Sequence, residues 1–132
     1  MIRLPYKEVL QMHQLLVLTT GGVVGVREKG LLESALEAPF AGFDGREFYP
    51  TIEEKAARLG WTLVANHAFV DGNKRIGLLV MLVFLKVNDV NVDCSDAELV
   101  EAGLGLAAGT WSYEALLAWI HSHTADDSDK KL

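Results

Sequence analysis

Apolar positions recur along this chain at helical rather than alternating spacing. From residue 5 to 19 they fall at Val9, Leu10, Met12, Leu15, Leu16 and Leu18, a broad face of one helix. Pro5 suits a first helical position, and Gly21-Gly22 ends the pattern. The following GGVVGVREKG holds no period and reads as a loop, after which GLLESALEA is a short amphipathic helix stopped before Pro39. Residues 40–50, FAGFDGREFYP, are irregular, with Asp44-Gly45 marking a tight turn and a small hairpin or flap.

Helical signals return with Thr51-Ile52-Glu53-Glu54. In this T-x-x-E capping box the threonine and the glutamate each satisfy a backbone N–H that the first turn leaves unpaired. That helix runs to about residue 66. Residues 73–86 form the most apolar helix of the chain, ended by Asn88-Asp89. Ser95-Asp96-Ala97-Glu98 repeats the capping box and opens a helix to about residue 108. Gly109-Thr110 breaks the pattern, and Ser112 caps a last helix through about residue 121. A polar tail, 124–132, is expected to be frayed. Strand signals are scarce, so the expectation is an all-α fold: about six helices packed around the buried 73–86 helix, in one domain over residues 1–123.

Composition narrows the function classes. Half of the 132 residues are hydrophobic, as in an ordinary globular protein, and the net charge of −6 argues against direct nucleic-acid binding. The single cysteine, Cys94, excludes an intramolecular disulfide and a cysteine-based metal site. The opening MIRLPYKEVL lacks the apolar stretch of a secretory signal. The uncharged run 76–85 is roughly half the ~20 residues needed to cross a bilayer and reads as a helix buried on all sides. The expected location is the cytoplasm, with no membrane association.

Candidate chemistry sits directly in front of that run, in HAFVDGNKR, residues 67–75. A helix N-terminus carries partial positive charge, so Lys74 and Arg75 are unfavourable in a first turn unless something negative is near. Asp71 could supply that charge, and so could a bound phosphate. Gly72 permits a tight turn and a close ligand approach, which makes Gly72-Asn73-Lys74-Arg75 a candidate anion nest. His67 beside it suits a general base, and Asp71 suits Mg²⁺, which often binds through one or two carboxylates plus phosphate oxygens. On residue types alone the competing reading is a helix-ending histidine followed by an ordinary Asp-Gly-Asn turn and cap.

The stretch resembles the signature of the Fic/Doc superfamily, His-x-Phe-x-acid-Gly/Ala-Asn-Gly/Lys-Arg, at seven of nine positions. Lys74 stands where Fic adenylyltransferases carry glycine and resembles the Doc (death-on-curing) branch of type II toxin–antitoxin systems. GLLESALEAP, YPTIEEKAARL and DAELVEAGLGLAAG are similar to Doc proteins as well. The resemblance implies His67 as general base, Asp71 as Mg²⁺ holder, and Gly72, Asn73 and Arg75 as phosphate-binding residues. Lys74 would fill the space that AMP transfer needs, so that ATP binds reversed and its γ-phosphate is transferred. The implied target is a threonine of elongation factor Tu, with translation arrest as the outcome and a Phd-like antitoxin as the inhibitor. Ala68 departs from the family's usual proline. The superfamily's self-inhibitory motif finds only Thr110–Glu114, spoiled by Ala115, so inhibition is expected in trans. The alternatives are Fic-type AMP transfer and a non-catalytic binding module.

Other residues carry weaker signals. Arg27 and Glu28 line either the site mouth or a surface ion pair. His13 reads as a hydrogen-bonded structural histidine, and His121 with His123 as helix-end cations with a faint hint of metal. Trp61, Trp111, Trp119 and Tyr49 read as packing aromatics.

Overall fold

The computed structural model describes residues 1–124, and in it six α-helices carry the fold: α1 (Tyr6–Thr20), α2 (Lys29–Glu37), α3 (Ile52–Asn66), α4 (Asn73–Val87), α5 (Asp96–Ala107) and α6 (Tyr113–His123). The architecture is all-α, as the periodicity predicts. A two-stranded antiparallel hairpin, β1 (Gly42–Phe43) and β2 (Arg46–Glu47), joins α2 to α3 by way of a single 3₁₀ turn, Ala38–Phe40. Most of the polar tail lies outside the described residues. Thr124 does not fray: it bridges to Val92, and Asp93 N–H donates to the His123 carbonyl at 2.7 Å.

Helix starts follow local chemistry. Both capping boxes form in full, Thr51 with Glu54 and Ser95 with Glu98, and the Ser112 hydroxyl accepts from the Ala115 N–H. α4 is different: its N-cap is Gly72, no side chain caps it, and no acidic residue stands in its first turn.

The core gathers on α3 and α4. Leu59, Leu63 and Val64 of α3 meet Ile76, Val80, Met81, Phe84 and Leu85 of α4, with Leu32, Leu116 and Ile120 closing the sides. Contrary to the expectation from its uncharged run, α4 is not buried on all sides. Leu79 and Leu82 are half-exposed, because α5 crosses beside them and leaves a groove lined also by Leu99, Val100 and Leu104. Among the described residues no helix is long and apolar enough to cross a membrane.

Two glycines bring α3 and α4 together. A Cβ added at Gly77 would stand 2.6 Å from Val64 Cγ2 and 3.1 Å from the Gly60 carbonyl oxygen, and one at Gly60 would meet Met81 at 3.1 Å. The close approach sets the end of α3, where His67 follows, against the start of α4. At the far end of α3, Lys55 is fully buried. Its ammonium donates to Glu47 Oε1 at 2.8 Å and to the Tyr49 carbonyl, so it pins the hairpin base. The hairpin is thus anchored at the opposite end of α3 from His67, roughly 20 Å away along a 15-residue helix.

Candidate active site

The site is built where α3 stops and α4 starts. His67 ends α3 in the left-handed region (φ 47°, ψ 47°), which only a few non-glycine residues occupy. Its ring is exposed and makes no hydrogen bond among the described residues. Its backbone is held firmly: Arg27 donates from Nε to the His67 carbonyl at 2.9 Å and from Nη2 to the Asn66 carbonyl at 3.3 Å. A guanidinium on the last carbonyls of a helix satisfies groups that the helix leaves open. Arg27 also pairs with Glu28 at 3.7 Å, the surface ion pair read from sequence, and it touches the site only through the main chain of Asn66 and His67.

Residues 68–70 pair with the loop after α1. Arg27 N–H donates to the Ala68 carbonyl at 2.7 Å, Val70 N–H donates to the Gly25 carbonyl at 3.0 Å, and Val26 bridges to Phe69. Phe69 is buried and lies face to face with the His13 ring, centroids 3.9 Å apart. His13 Nε2 donates to the main-chain carbonyl of Asp71 at 2.7 Å. His13 is therefore the bonded structural histidine expected of it, and it supports the signature loop itself.

Asp71 is oriented by backbone donors. Oδ1 accepts from Gly72 N–H at 2.8 Å, and Oδ2 accepts from Val23 N–H at 3.3 Å. Gly22 makes room for this carboxylate, since a Cβ there would come within 2.6 Å of Oδ2. Gly72, at φ 75°, then turns the chain into α4, whose first internal bond runs from Ile76 N–H to the Gly72 carbonyl. The N–H groups of Asn73, Lys74 and Arg75 have no acceptor among the described residues. Asn73 turns its side chain back: Oδ1 accepts from Phe69 N–H and Nδ2 donates to the Phe69 carbonyl, both at 3.0 Å. The amide expected toward phosphate is engaged inside the loop. Arg75 reaches the Thr20 hydroxyl with Nη1, and the Lys74 stem lies along Gly103 of α5. Among the described residues, no carboxylate lies within ion-pair distance of Lys74 or Arg75.

All six predicted residues, His67, Asp71, Gly72, Asn73, Lys74 and Arg75, line one open depression of about 440 Å³, together with Val70 and Ala107. A second depression of about 260 Å³, between Trp61 and Trp111, adjoins it and shares His67 and Ala107. The arrangement fits phosphate: outward N–H groups, two cations without carboxylate partners, and a glycine that admits close approach. It also fits Mg²⁺ of a particular kind. Asp71 keeps lone pairs beyond its two N–H contacts, yet no three His, Cys, Asp or Glu side chains cluster among the described residues. One carboxylate suits an ion held mainly by phosphate oxygens, and not a cage built by protein alone.

Sequence reasoning missed the layer beneath: Thr20, Gly22, Val23 and the reach of His13. The Gly21-Gly22 pair was a signal, read only as a helix stop.

Fold and site together define an all-α protein with an uncapped helix N-terminus, two cations, a carboxylate and an exposed histidine around one depression. The chain belongs to the Fic/DOC family, whose model matches residues 3–85. It is also similar to a curated relative described as "Toxin Doc" from Mycolicibacterium smegmatis (strain ATCC 700084 / mc(2)155), with 43% identity over 72 residues. That alignment covers 54% of this chain and 55% of the relative, so the chain spans about half the length of the protein it matches.

Proposed function

We propose that the chain is a Doc-like toxin that uses ATP and Mg²⁺ to phosphorylate a hydroxyl of a translation factor, with a threonine of elongation factor Tu as the expected acceptor. The observation that carries the reading is the depression shared by His67, Asp71, Lys74, Arg75 and the bare N-terminus of α4. The printed name of the relative supports the toxin part. The exposed His67 imidazole takes the proton of the acceptor hydroxyl, whose oxygen forms the new bond to the γ-phosphorus as the bond to the β-phosphate bridging oxygen breaks and ADP leaves. Gly72 and the N–H groups of α4 hold the transferring phosphate, and Lys74 and Arg75 offset its charge. Mg²⁺, held through Asp71, would neutralise the remaining phosphates. The Lys74 side chain occupies space a glycine would leave open, which favours γ- over α-phosphate at the nest.

The work of such a protein lies in the cytoplasm, and it needs an inhibitor. The apolar groove between α4 and α5, about 360 Å³, starts at Lys74 and Arg75 and suits a helical segment of a Phd-like antitoxin. A helix lying there would cover both cations.

Incubation of purified protein and elongation factor Tu with ATP labelled at either the γ or the α position tests the reading. Label retained from the γ position, and absent with His67→Ala, is the expected result. Retention from the α position only would make the chain an adenylyltransferase. Growth inhibition by His67→Ala equal to that of the wild type would leave a non-catalytic binding module.

A further inference from the structure

We infer that His13 is a positioning residue that locks the Asp71–Gly72 peptide, and through it the Asp71 carboxylate, in the orientation the site needs. The two residues lie 58 positions apart and meet only through the fold. His13 is 1% exposed and is held face to face on Phe69, so its ring has no freedom to turn. A main-chain carbonyl can only accept, so His13 Nε2 carries the proton and donates to Asp71 O.

The consequence follows from the planarity of the peptide bond. The Asp71 carbonyl and the Gly72 N–H belong to one rigid unit, and that N–H is the donor that holds Asp71 Oδ1 at 2.8 Å. Fixing the carbonyl fixes the N–H, and the N–H fixes the carboxylate. The unit would otherwise be free to turn over, because glycine tolerates both signs of φ and Gly72 stands at φ 75°. A flipped peptide would aim its carbonyl oxygen where the N–H now points and release Oδ1 from its donor, leaving the carboxylate only the longer Val23 N–H contact on Oδ2. The catalytic consequence rests on the transfer reading above; the lock itself does not.

The experiment compares wild type with His13→Phe, His13→Gln and His13→Asn by amide hydrogen exchange in NMR. Phenylalanine keeps the stack and loses the donor; glutamine places an amide N–H near the Nε2 position; asparagine falls one methylene short. The expected result is Gly72 N–H exchange accelerated by about tenfold or more in the Phe and Asn variants, with the Val80 and Met81 amides unchanged, and recovery in the Gln variant. Exchange at Gly72 that stays at the wild-type level without a donor overturns the proposal. So does acceleration spread equally over the α4 core, which marks plain destabilisation. If the Phe variant does not fold, the Gln and Asn pair decides alone. In the transfer assay the same variants should need more Mg²⁺ for half-maximal rate. A wild type without transfer activity refutes the functional reading and leaves the exchange result standing.

Discussion

Asn73 clasps the backbone of Phe69 with both ends of its side-chain amide, at 3.0 Å each, and so closes the loop that carries Asp71 and Gly72. The clasp makes Asn73 a test of what this position does. Asn73→Ala removes two hydrogen bonds of about 1 kcal/mol each, so urea denaturation should show a loss of about 2 kcal/mol. Lys74→Ala, at a residue that lines the depression and makes no side-chain hydrogen bond among the described residues, should leave stability nearly untouched while reducing phosphate transfer on the proposed reading. An Asn73→Ala protein as stable as wild type would mean that the amide faces ligand in solution.

The junction of α3 and α4 depends on residues too small to be noticed. A methyl group at Gly77 would press on Val64 and on the Gly60 carbonyl, neither of which can swing away. Overpacking of this kind costs about 1–3 kcal/mol, against about 1 kcal/mol gained by replacing glycine with alanine inside a helix. Gly77→Ala should therefore destabilise, by about 1 kcal/mol net. Thermal denaturation reads the sign, and a raised melting temperature would refute the close approach.

Lys55 and Glu47 form a pair whose two halves are unequal. The Lys55 side chain is 1% exposed and the Glu47 side chain 53%. Lys55→Met returns Glu47 to water and fills the same space with an apolar chain, so its cost should be confined to the lost bond to the Tyr49 carbonyl, about 1 kcal/mol. Glu47→Ala leaves a buried ammonium with the Tyr49 carbonyl and the Phe40 ring, and should cost about 3 kcal/mol, the low end for a stranded buried charge. Denaturation of the two single variants checks the order, and the reverse order would contradict it.

A second pair, Glu98 with His123 at 2.6 Å, makes the α5–α6 end sensitive to pH. The Ser95 backbone N–H, then His123 and the Ser95 hydroxyl, pull the Glu98 carboxyl down to about 2 from 4.5. The Trp119 carbonyl and then Glu98 hold the His123 imidazole above its ordinary 6.5. A lowered carboxyl stabilises above its unfolded value, so that part is present above pH 4.5 and is lost as pH falls toward 2. A raised imidazole stabilises fully below 6.5, and its part is lost as pH rises through the elevated folded value. Glu98→Gln keeps a capping-box residue and removes only the charge. Its melting temperature should fall furthest below wild type between pH 4.5 and 6.5, and the gap should narrow on either side. A constant gap would exclude the ion pair as its cause.

These relationships separate what the sequence carries from what it hides. Capping at Thr51, Ser95 and Ser112 is local chemistry within four residues, and it placed three helix starts correctly. The nine residues around Gly72 are contiguous, so their grouping needed no fold. His13 against Asp71, Arg27 against His67 and Val23 against Asp71 join segments 40 to 58 positions apart, and no periodicity encodes such a meeting. The buried Lys55 was equally hidden, since an isolated lysine near a helix start reads as solvated. The half-open flank of α4 was hidden for the opposite reason: an apolar run reports that burial is favourable, not that a neighbour covers every face.

If His67 is the base proposed above, it sets stability against function in one residue. Its left-handed backbone at φ 47° is unfavourable for a histidine and free of strain for glycine. Its exposed ring makes no hydrogen bond among the described residues that its loss would forfeit. His67→Gly should therefore raise stability by about 0.5–1 kcal/mol, the relief at this helix end exceeding the added freedom of the unfolded chain. The same change should abolish transfer of the γ-label, because no other imidazole lines the depression. A variant that is more stable and inactive is the signature of strain kept for chemistry. A variant that is less stable would make the ring a structural cap, and one that still transfers phosphate would remove His67 from the role of base.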